Sequence, residues 1–242
     1  MSTIPDWLDD YRREVERWNA SINLISRRGS AAQLDRLITQ CLDALDQLLE
    51  APAPLGFAPG AKDGSSECAY FDLGSGGGLP GIVWHGRLVR GGSRVRSWLV
   101  EPREKRAWFL SRTARLMSPQ PAVLHGLWGE VASGETLMVP QILISLKALR
   151  LDDNEVLAGL RPFLAESAAE VTIARFYPPD HIWSAELAAT LAVAEPGESR
   201  KLDGLVATAL AAGVLPPAEA VADAASLVIS KYMVEAMARS EV

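Results

Sequence analysis

The segment Phe71-Asp72-Leu73-Gly74-Ser75-Gly76-Gly77-Gly78-Leu79-Pro80-Gly81 constrains this chain more than any other. A short apolar run, Ala69 to Leu73, precedes it, and Pro80 to Val89 after it reads as a helix, with proline tolerated in the first turn. Residues without a Cβ let a backbone approach a ligand closely, and a helix start offers unpaired N–H groups. A tight strand–helix turn without a ligand is the plainer reading. Four glycines within five positions are more than such a turn needs.

The chain then alternates. Ser97 to Glu101 reads as a strand, and Arg103 to Met117 as an amphipathic helix with Trp108, Phe109 and Leu116 on its apolar side. Ala122 to His125 and Gln141 to Leu146 read as strands, and Asn154 to Leu164 as a helix. Val171 to Phe176 and Ser226 to Tyr232 read as the last strands. Alternation of this kind predicts an α/β fold, a doubly wound, mostly parallel, Rossmann-like sheet. Residues 184–224 are Ala-rich and ambiguous, with helical additions as the expectation.

Ahead of the sheet, residues 4–19 and 31–49 carry apolar side chains at helical spacing. They predict an N-terminal helical extension over 1–50, joined by a Pro/Gly-rich linker at 51–67 to a main domain at 68–242.

In a doubly wound sheet ligands bind at the carboxyl ends of the strands. Asp72 stands at one such end, able to accept a hydrogen bond or favour a cationic amino group, and Glu101 stands at the next, able to accept both hydroxyls of a ribose. A glycine turn after one strand and an acid after the next point to an adenosine-containing ligand. NAD(H) and S-adenosylmethionine both satisfy this pattern, and Asp72 directly before the glycines tilts it toward the methyl donor. No Gly-Lys-Ser/Thr triplet is present, so the turn is not a nucleotide-triphosphate cradle.

Charge and cysteines bound the partners. The net charge of −6 argues against indiscriminate nucleic-acid binding, but residues 1–118 sum to +2 and residues 119–242 to −8. Nine basic and two acidic residues lie between Arg87 and Arg115, compatible with a polyanion on one face and equally with a solvated helix surface. Cys41 and Cys68 form neither a metal spacing nor a disulfide framework, and His85, His125 and His181 are far apart. A reducing, cytoplasmic setting without metal is expected. The N-terminus lacks signal-peptide order, and the longest uncharged apolar run, Leu205 to Pro217, is too short to cross a bilayer.

The run Asp72 to Ile82, followed by Glu101, Lys105, Arg106, Phe109 and Leu110, resembles the RsmG (GidB) family of bacterial small-subunit rRNA guanine-N7 methyltransferases. Trp18-Asn19 with Ile22-Asn23-Leu24-Ile25-Ser26 resembles the family's Trp-Asn and Asn-Leu-Thr-Ser motif. Asp43 with Leu45 resembles the end of its His-to-Asp-Ser-Leu motif, and Leu227 to Lys231 its closing strand. The resemblance implies a class I S-adenosylmethionine-dependent methyltransferase acting on N7 of one guanine in 16S rRNA, presented by the small ribosomal subunit. It implies that Gly74 and Leu79 lie against the cofactor, that Glu101 holds its ribose, and that Trp128 and Gly129 border the adenine with Glu130 nearby; the glycine turn itself adds Asp72, Ser75, Gly76 and Gly78 as cofactor-binding candidates. Trp128 as an adenine platform competes with a plain core tryptophan.

Four positions depart from the family pattern. Gln40 stands for its histidine, Ala44 for its serine and Leu127 for its arginine after the third strand. Lys147 stands for an arginine facing cofactor and substrate; it keeps the charge and loses the planar fork of donors. Candidates for phosphate contacts are Arg12, Arg13, Arg27 and Arg28 near the N-terminal helices, and Arg103, Lys105 and Arg106 at the cofactor edge. A methyltransferase with another substrate, or a silent module that binds the cofactor or the ribosome, are the alternatives.

Overall fold

A computed structural model describes residues 4–26, 31–52, 56–59, 67–132, 134, 137–164, 168–177, 196–202, 205–215 and 226–236. The first three strands of the expected alternation, β1 (Glu67–Leu73), β2 (Arg94–Glu101) and β3 (Ala122–His125), pair in parallel, and β4 (Gln141–Lys147) lies parallel on the other side of β1. Next come β5 (Ala168–Tyr177), parallel to β4, and three strands in antiparallel register, β6 (Ser199–Leu202), β7 (Leu205–Leu215) and β8 (Ser226–Ala236). The order across the eight-stranded sheet is β3-β2-β1-β4-β5-β8-β7-β6. The strand order reverses between β1 and β4, which opens a crevice beyond their carboxyl ends.

The helices are α1 (Asp9–Ile22, entered through a single 3₁₀ turn at Asp6–Leu8), α2 (Ala31–Glu50), α3 (Gly81–Arg90), α4 (Glu104–Ala114) and α5 (Asp153–Ala158). The sheet has an apolar layer on each face. One holds Tyr70, Leu99, Leu143 and Ala174 of the sheet beneath Tyr11, Val15, Ile38, Cys41, Trp84 and Phe109 of the helices. The other holds Phe71, Trp98, Ile144 and Ile173 over Val156, Leu160 and Phe163. β1 and β4 are buried along almost their whole length, as strands covered on both faces must be.

The N-terminal helices are therefore part of one core rather than an appendage. Leu34, Ile38, Cys41, Leu45 and Leu48 of α2 are all buried, at the spacing the sequence predicts, and the Trp84 indole of α3 donates to the Cys41 carbonyl at 2.6 Å. The expected linker is in part packed as well: Phe57 is buried, and Lys231 Nζ on β8 donates to the Gly56 carbonyl at 3.0 Å. Residues 53–55 and 60–66 of it lie outside the described residues.

The Ala-rich tract departs from expectation. Residues 205–215 form strand β7 and residues 199–202 strand β6, while 184–195, 203–204 and 216–224 lie outside the described residues. Leu205, Ala207, Ala209 and Ala211 are buried against β8, in whose register Ala207 faces Val234 and Ala209 faces Tyr232. Alternate small residues fit beneath those larger neighbours, so packing overrides alanine's weak strand preference. Trp108 and Leu116, expected on the apolar side of α4, stay about half exposed, and Ala107, Phe109, Leu110 and Ala114 make the buried side. The expected helix at 154–164 is shorter: α5 stops at Ala158 and turns follow.

Arg175, Asp153 and Tyr232 form a buried polar cluster below the sheet. Arg175 Nη1 lies 2.5 Å from Asp153 Oδ1, Arg175 Nη2 donates to the Leu151 carbonyl, and the Tyr232 hydroxyl donates to Asp153 Oδ2. Among the described residues no helix is long and apolar enough to cross a membrane, and no three His, Cys, Asp or Glu residues gather in a metal-binding group. His85 is buried between Ser97 Oγ and the Pro119 carbonyl, its imidazole held below its ordinary pKa by burial. His181 lies outside the described residues.

Candidate functional site

The glycine turn leaves β1 where the strand order reverses. Gly74, Gly76 and Gly78 adopt φ of 69°, 55° and 91°, the left-handed region that glycine tolerates without strain. Gly74 and Ser75 donate backbone N–H bonds to the Val100 carbonyl of β2 at 2.9 and 3.0 Å, which folds the loop over the end of the neighbouring strand. Ser75 Oγ donates back to the Asp72 carbonyl at 2.8 Å.

Glu101 closes the loop from β2. Its Oε2 accepts the Gly76 N–H at 2.8 Å and its Oε1 the Arg103 N–H at 2.9 Å, with the side chain buried. Each carboxylate oxygen keeps a second lone pair. The turn after β3 meets the same residue, since the Gly126 N–H donates to the Glu101 carbonyl at 3.2 Å. The structure thus brings the glycine turn, Glu101 and the 126–130 turn to one edge. Gly129 and Glu130 are exposed there, and Leu79 is half-buried.

Asp72 has a different place from the one expected. It is buried: its Oδ2 accepts the Gly81 N–H at the start of α3 at 3.1 Å, and its Oδ1 accepts Ser145 Oγ–H at 2.6 Å. Ser145 in turn lies 2.9 Å from the Tyr70 hydroxyl. Burial pushes the Asp72 carboxyl up to about 6, against the opposing pull of the Ser145, Ser75 and Gly81 hydrogen bonds and the Lys147 charge. Asp72 thus ties the end of β1 to the start of α3 and to β4.

Trp128 is half-buried on an aromatic layer. Its ring stacks on Phe163 at 5.6 Å and 13°, meets Phe71 edge-on, and donates Nε1–H to the Val156 carbonyl at 2.9 Å. A Cβ on Gly159 would fall 2.1 Å from that nitrogen, so α5 presses closely on the indole. Phe71 and Phe163 offered a neutral aromatic layer that the sequence did not disclose.

Lys147 ends β4 with its ammonium 5.5 Å from the centre of the Phe176 ring, and among the described residues it has no ion-pair partner. Ala148 follows at φ 59°, a conformation that non-glycine residues rarely adopt. Leu149 comes next, partly exposed, with its side chain 3.5 Å from where a Cβ on Gly74 would stand. Leu127, in the turn after β3, is 54% exposed. Two exposed leucines at a strand-end edge, a fixed carboxylate with spare lone pairs and a glycine backbone fit a ligand with an apolar ring and a diol.

The candidate phosphate contacts divide. Arg12 spends its guanidinium on Asp35, with both bonds at 2.8 Å, and on Asp9, which ties α1 to α2. Arg13 pairs with Asp10 on the surface. Arg106 donates Nη2–H to the Asn23 carbonyl at 2.9 Å. Arg103 and Lys105 are exposed at the start of α4, and Arg27 and Arg28 lie outside the described residues.

The chain-end turn of α1 was not foreseen as part of the site. Asn19 Oδ1 accepts the Leu24 and Ile25 N–H groups, both at 2.9 Å, Asn23 takes φ 57°, and Leu24 lies against Gly77. The Tyr11 hydroxyl donates to the Gly77 carbonyl at 2.8 Å. The signal was present as the Trp18-Asn19 and Asn23-Leu24 pattern, but only the fold shows that these residues grip the glycine turn.

The family model described as rRNA small subunit methyltransferase G matches residues 6–125. A Ribosomal RNA small subunit methyltransferase G from Methylobacterium sp. (strain 4-46) is 33% identical over 178 residues, spanning 69% of this chain and 75% of the relative. The protein of the same name from Methylorubrum populi is 32% identical over 173 residues, spanning 68% and 74%. A solved geranyl diphosphate methyltransferase in complex with GPP and sinefungin aligns at a TM-score of 0.45 and 13% identity, over 95% of this chain and 99% of that one. With the glycine turn, the closing acid and the N-terminal motif all in the matched stretch, the chain belongs to the rRNA small subunit methyltransferase G family.

Proposed function

We propose that this protein is an S-adenosylmethionine-dependent methyltransferase that modifies N7 of a guanine in the 16S rRNA of the small ribosomal subunit, in the cytoplasm. The observation that carries the reading is the Glu101 carboxylate, fixed by Gly76 and Arg103 at the carboxyl end of β2 beside the glycine turn, in a member of this family. The two buried thiols, Cys41 and Cys68, pushed up to about 11 and 12 by burial, suit a reducing compartment.

S-adenosylmethionine, when bound, supplies a methyl group already activated on a sulfonium, so the protein's contribution is proximity and orientation. Glu101 is placed to accept the ribose hydroxyls with the lone pairs that Gly76 and Arg103 leave free. Gly74, Gly76 and Gly78 bring the backbone close, and Leu79, Gly129 and Glu130 border the same edge. Ser75 and Asp72 act from beneath by holding the turn and the start of α3. Guanine N7 carries a free lone pair and no proton at neutral pH, so no general base is required, and none of the residues at the edge has to act as one. Lys147, which has no ion-pair partner among the described residues and lies 5.5 Å from the centre of the Phe176 ring, is the candidate to orient the substrate.

The departure at Lys147 favours a second reading, a family-derived methyltransferase with another RNA substrate. Transfer of radiolabelled methyl to purified small ribosomal subunits lacking N7-methylguanine separates the two. Label at one guanine N7 is the expected result. Binding of S-adenosylmethionine without transfer to the subunit overturns the first reading and favours the second.

A further inference from the structure

We propose that Trp108 on α4 is a stacking platform for an unpaired base of the RNA substrate. Trp108 is 47% exposed, although it sits on a helix whose opposite side is fully buried. A large aromatic ring turned outward in this way loses the burial its neighbours Phe109 and Leu110 gain. Its setting is built. Trp18 of α1 meets it edge-on, with ring centres 4.8 Å apart at 77°. Trp18 is held in turn by its Nε1–H bond to Glu14 at 3.0 Å, and Arg112 grips the same Glu14 at 2.5 and 3.2 Å. The ring is thus propped at a fixed attitude before any ligand arrives, which lowers the ordering cost of binding.

The charge around it suits a polyanion. Helical neighbours three, four and seven positions away share its face. On that face Lys105 and Arg115 are basic, Glu104 is acidic, and Arg112 is paired with Glu14 of α1. Arg17 reaches the cluster from α1, its guanidinium 5.4 Å from the centre of the Trp18 ring and 3.8 Å from Glu14, so that one acid faces the two arginines Arg17 and Arg112. Lys105 and Arg115 have no ion-pair partner among the described residues. An exposed indole amid guanidinium and ammonium groups is the chemistry that takes a splayed base and its flanking phosphates. The place is also right. Glu104 opens α4 just after Glu101, so Trp108 lies only about 6 Å of helical rise beyond the cofactor edge.

This inference rests on the RNA-methyltransferase reading, and the test separates the two. Trp108→Ala and Trp108→Phe are compared with the parent chain in methyl transfer to small subunits, in S-adenosylmethionine binding by calorimetry, and in binding of a fluorescein-labelled single-stranded RNA by anisotropy. The expected result is that Trp108→Ala weakens RNA binding and raises KM for the subunit by about tenfold. Trp108→Phe retains most of both, and cofactor affinity is unchanged in each variant. Unchanged RNA affinity and KM in Trp108→Ala overturn the platform and leave the function standing. Absence of transfer by the parent chain removes the function, and the anisotropy arm then decides the platform alone. A loss seen with intact subunits but not with protein-free RNA overturns stacking in favour of a ribosomal-protein contact.

Discussion

The phenol of Tyr11, in the first turn of α1, hydrogen-bonds to the carbonyl of Gly77 at 2.8 Å, sixty-six residues away in the glycine turn. Both groups are buried, and burial raises the Tyr11 hydroxyl well above its ordinary pKa, so it remains a donor throughout the physiological range. Tyr11→Phe leaves the Gly77 carbonyl without that partner. We expect a loss of about 1–3 kcal/mol of stability, read from urea unfolding, with weaker S-adenosylmethionine binding by calorimetry. Wild-type values in both assays would mean that α1 does not support the turn.

Glu101 separates two roles in one residue. Glu101→Ala removes the acceptor for Gly76 and Arg103 and for a ribose, and should weaken S-adenosylmethionine binding by about tenfold or more. Glu101→Gln keeps one carbonyl oxygen and should fall between the two. Calorimetric titration of both variants checks this, and equal affinity in all three proteins would remove Glu101 from the ligand edge.

Asp72 gives stability a pH dependence of definite sign. Its carboxyl titrates at about 6 when folded, against 3.8 as the reference value for an unburied aspartate. The folded chain therefore holds the proton more tightly between those values. The stability this proton contributes is fully present below pH 4 and is lost as pH rises through 6. The loss across that window is about 3 kcal/mol. Asp72→Asn should flatten this part of the profile of urea midpoint against pH. A variant that keeps the parent's slope there would show that another group carries it.

Gly78 stands at φ 91°, and a Cβ there would fall 2.8 Å from Ile82 Cγ1. Gly78→Ala should cost about 1–3 kcal/mol and lower the melting temperature, because Ile82 is buried in α3 and has little room to yield. A melting temperature equal to that of the parent would show that the turn relaxes freely.

Lys147 tests the departure from the family pattern. We expect Lys147→Ala to lower kcat/KM for the ribosomal subunit by about tenfold, the scale of a lost hydrogen bond to a charged group, and Lys147→Arg to retain or raise it. If the alanine variant kept both cofactor affinity and turnover, Lys147 would have no part in the site.

Much of this arrangement is legible in the amino-acid sequence. The glycine turn, the acid after β2 and the parallel core follow from local patterns, because a strand buried on both faces is a continuous apolar run and a ligand loop needs glycine. The inward bonds of Asp72 and Trp128 are not legible in the sequence, for one reason. Chain position puts a residue near an edge, but only packing decides whether it faces the crevice or the interior. Asp72 turns inward to Ser145, and no local pattern in β4 announces that partner. Strand β7 is hidden because Ala207, Ala209, Ala211 and Ala212 favour helix by propensity until Tyr232 and Val234 supply the surface they pack on. Trp108 was hidden in the opposite way, since a helical wheel places it beside Phe109 and cannot tell that α1 leaves it uncovered.

Strand β8 lies between β5 and β7, so the latest strand in the chain occupies an interior place in the sheet. It pairs with β5 along Ala168–Tyr177, and its Lys231 reaches back 175 residues to the Gly56 carbonyl and bonds Glu170 at 2.6 Å. While the chain is being made, the parallel half can assemble with the free edge of β5 still open. That edge closes only when residues 226–236 arrive. Contacts of such long sequence separation are slow to form, and an open apolar edge is prone to pair with another chain meanwhile. Crowded synthesis, more than the finished protein, is where this architecture is most exposed to misassembly.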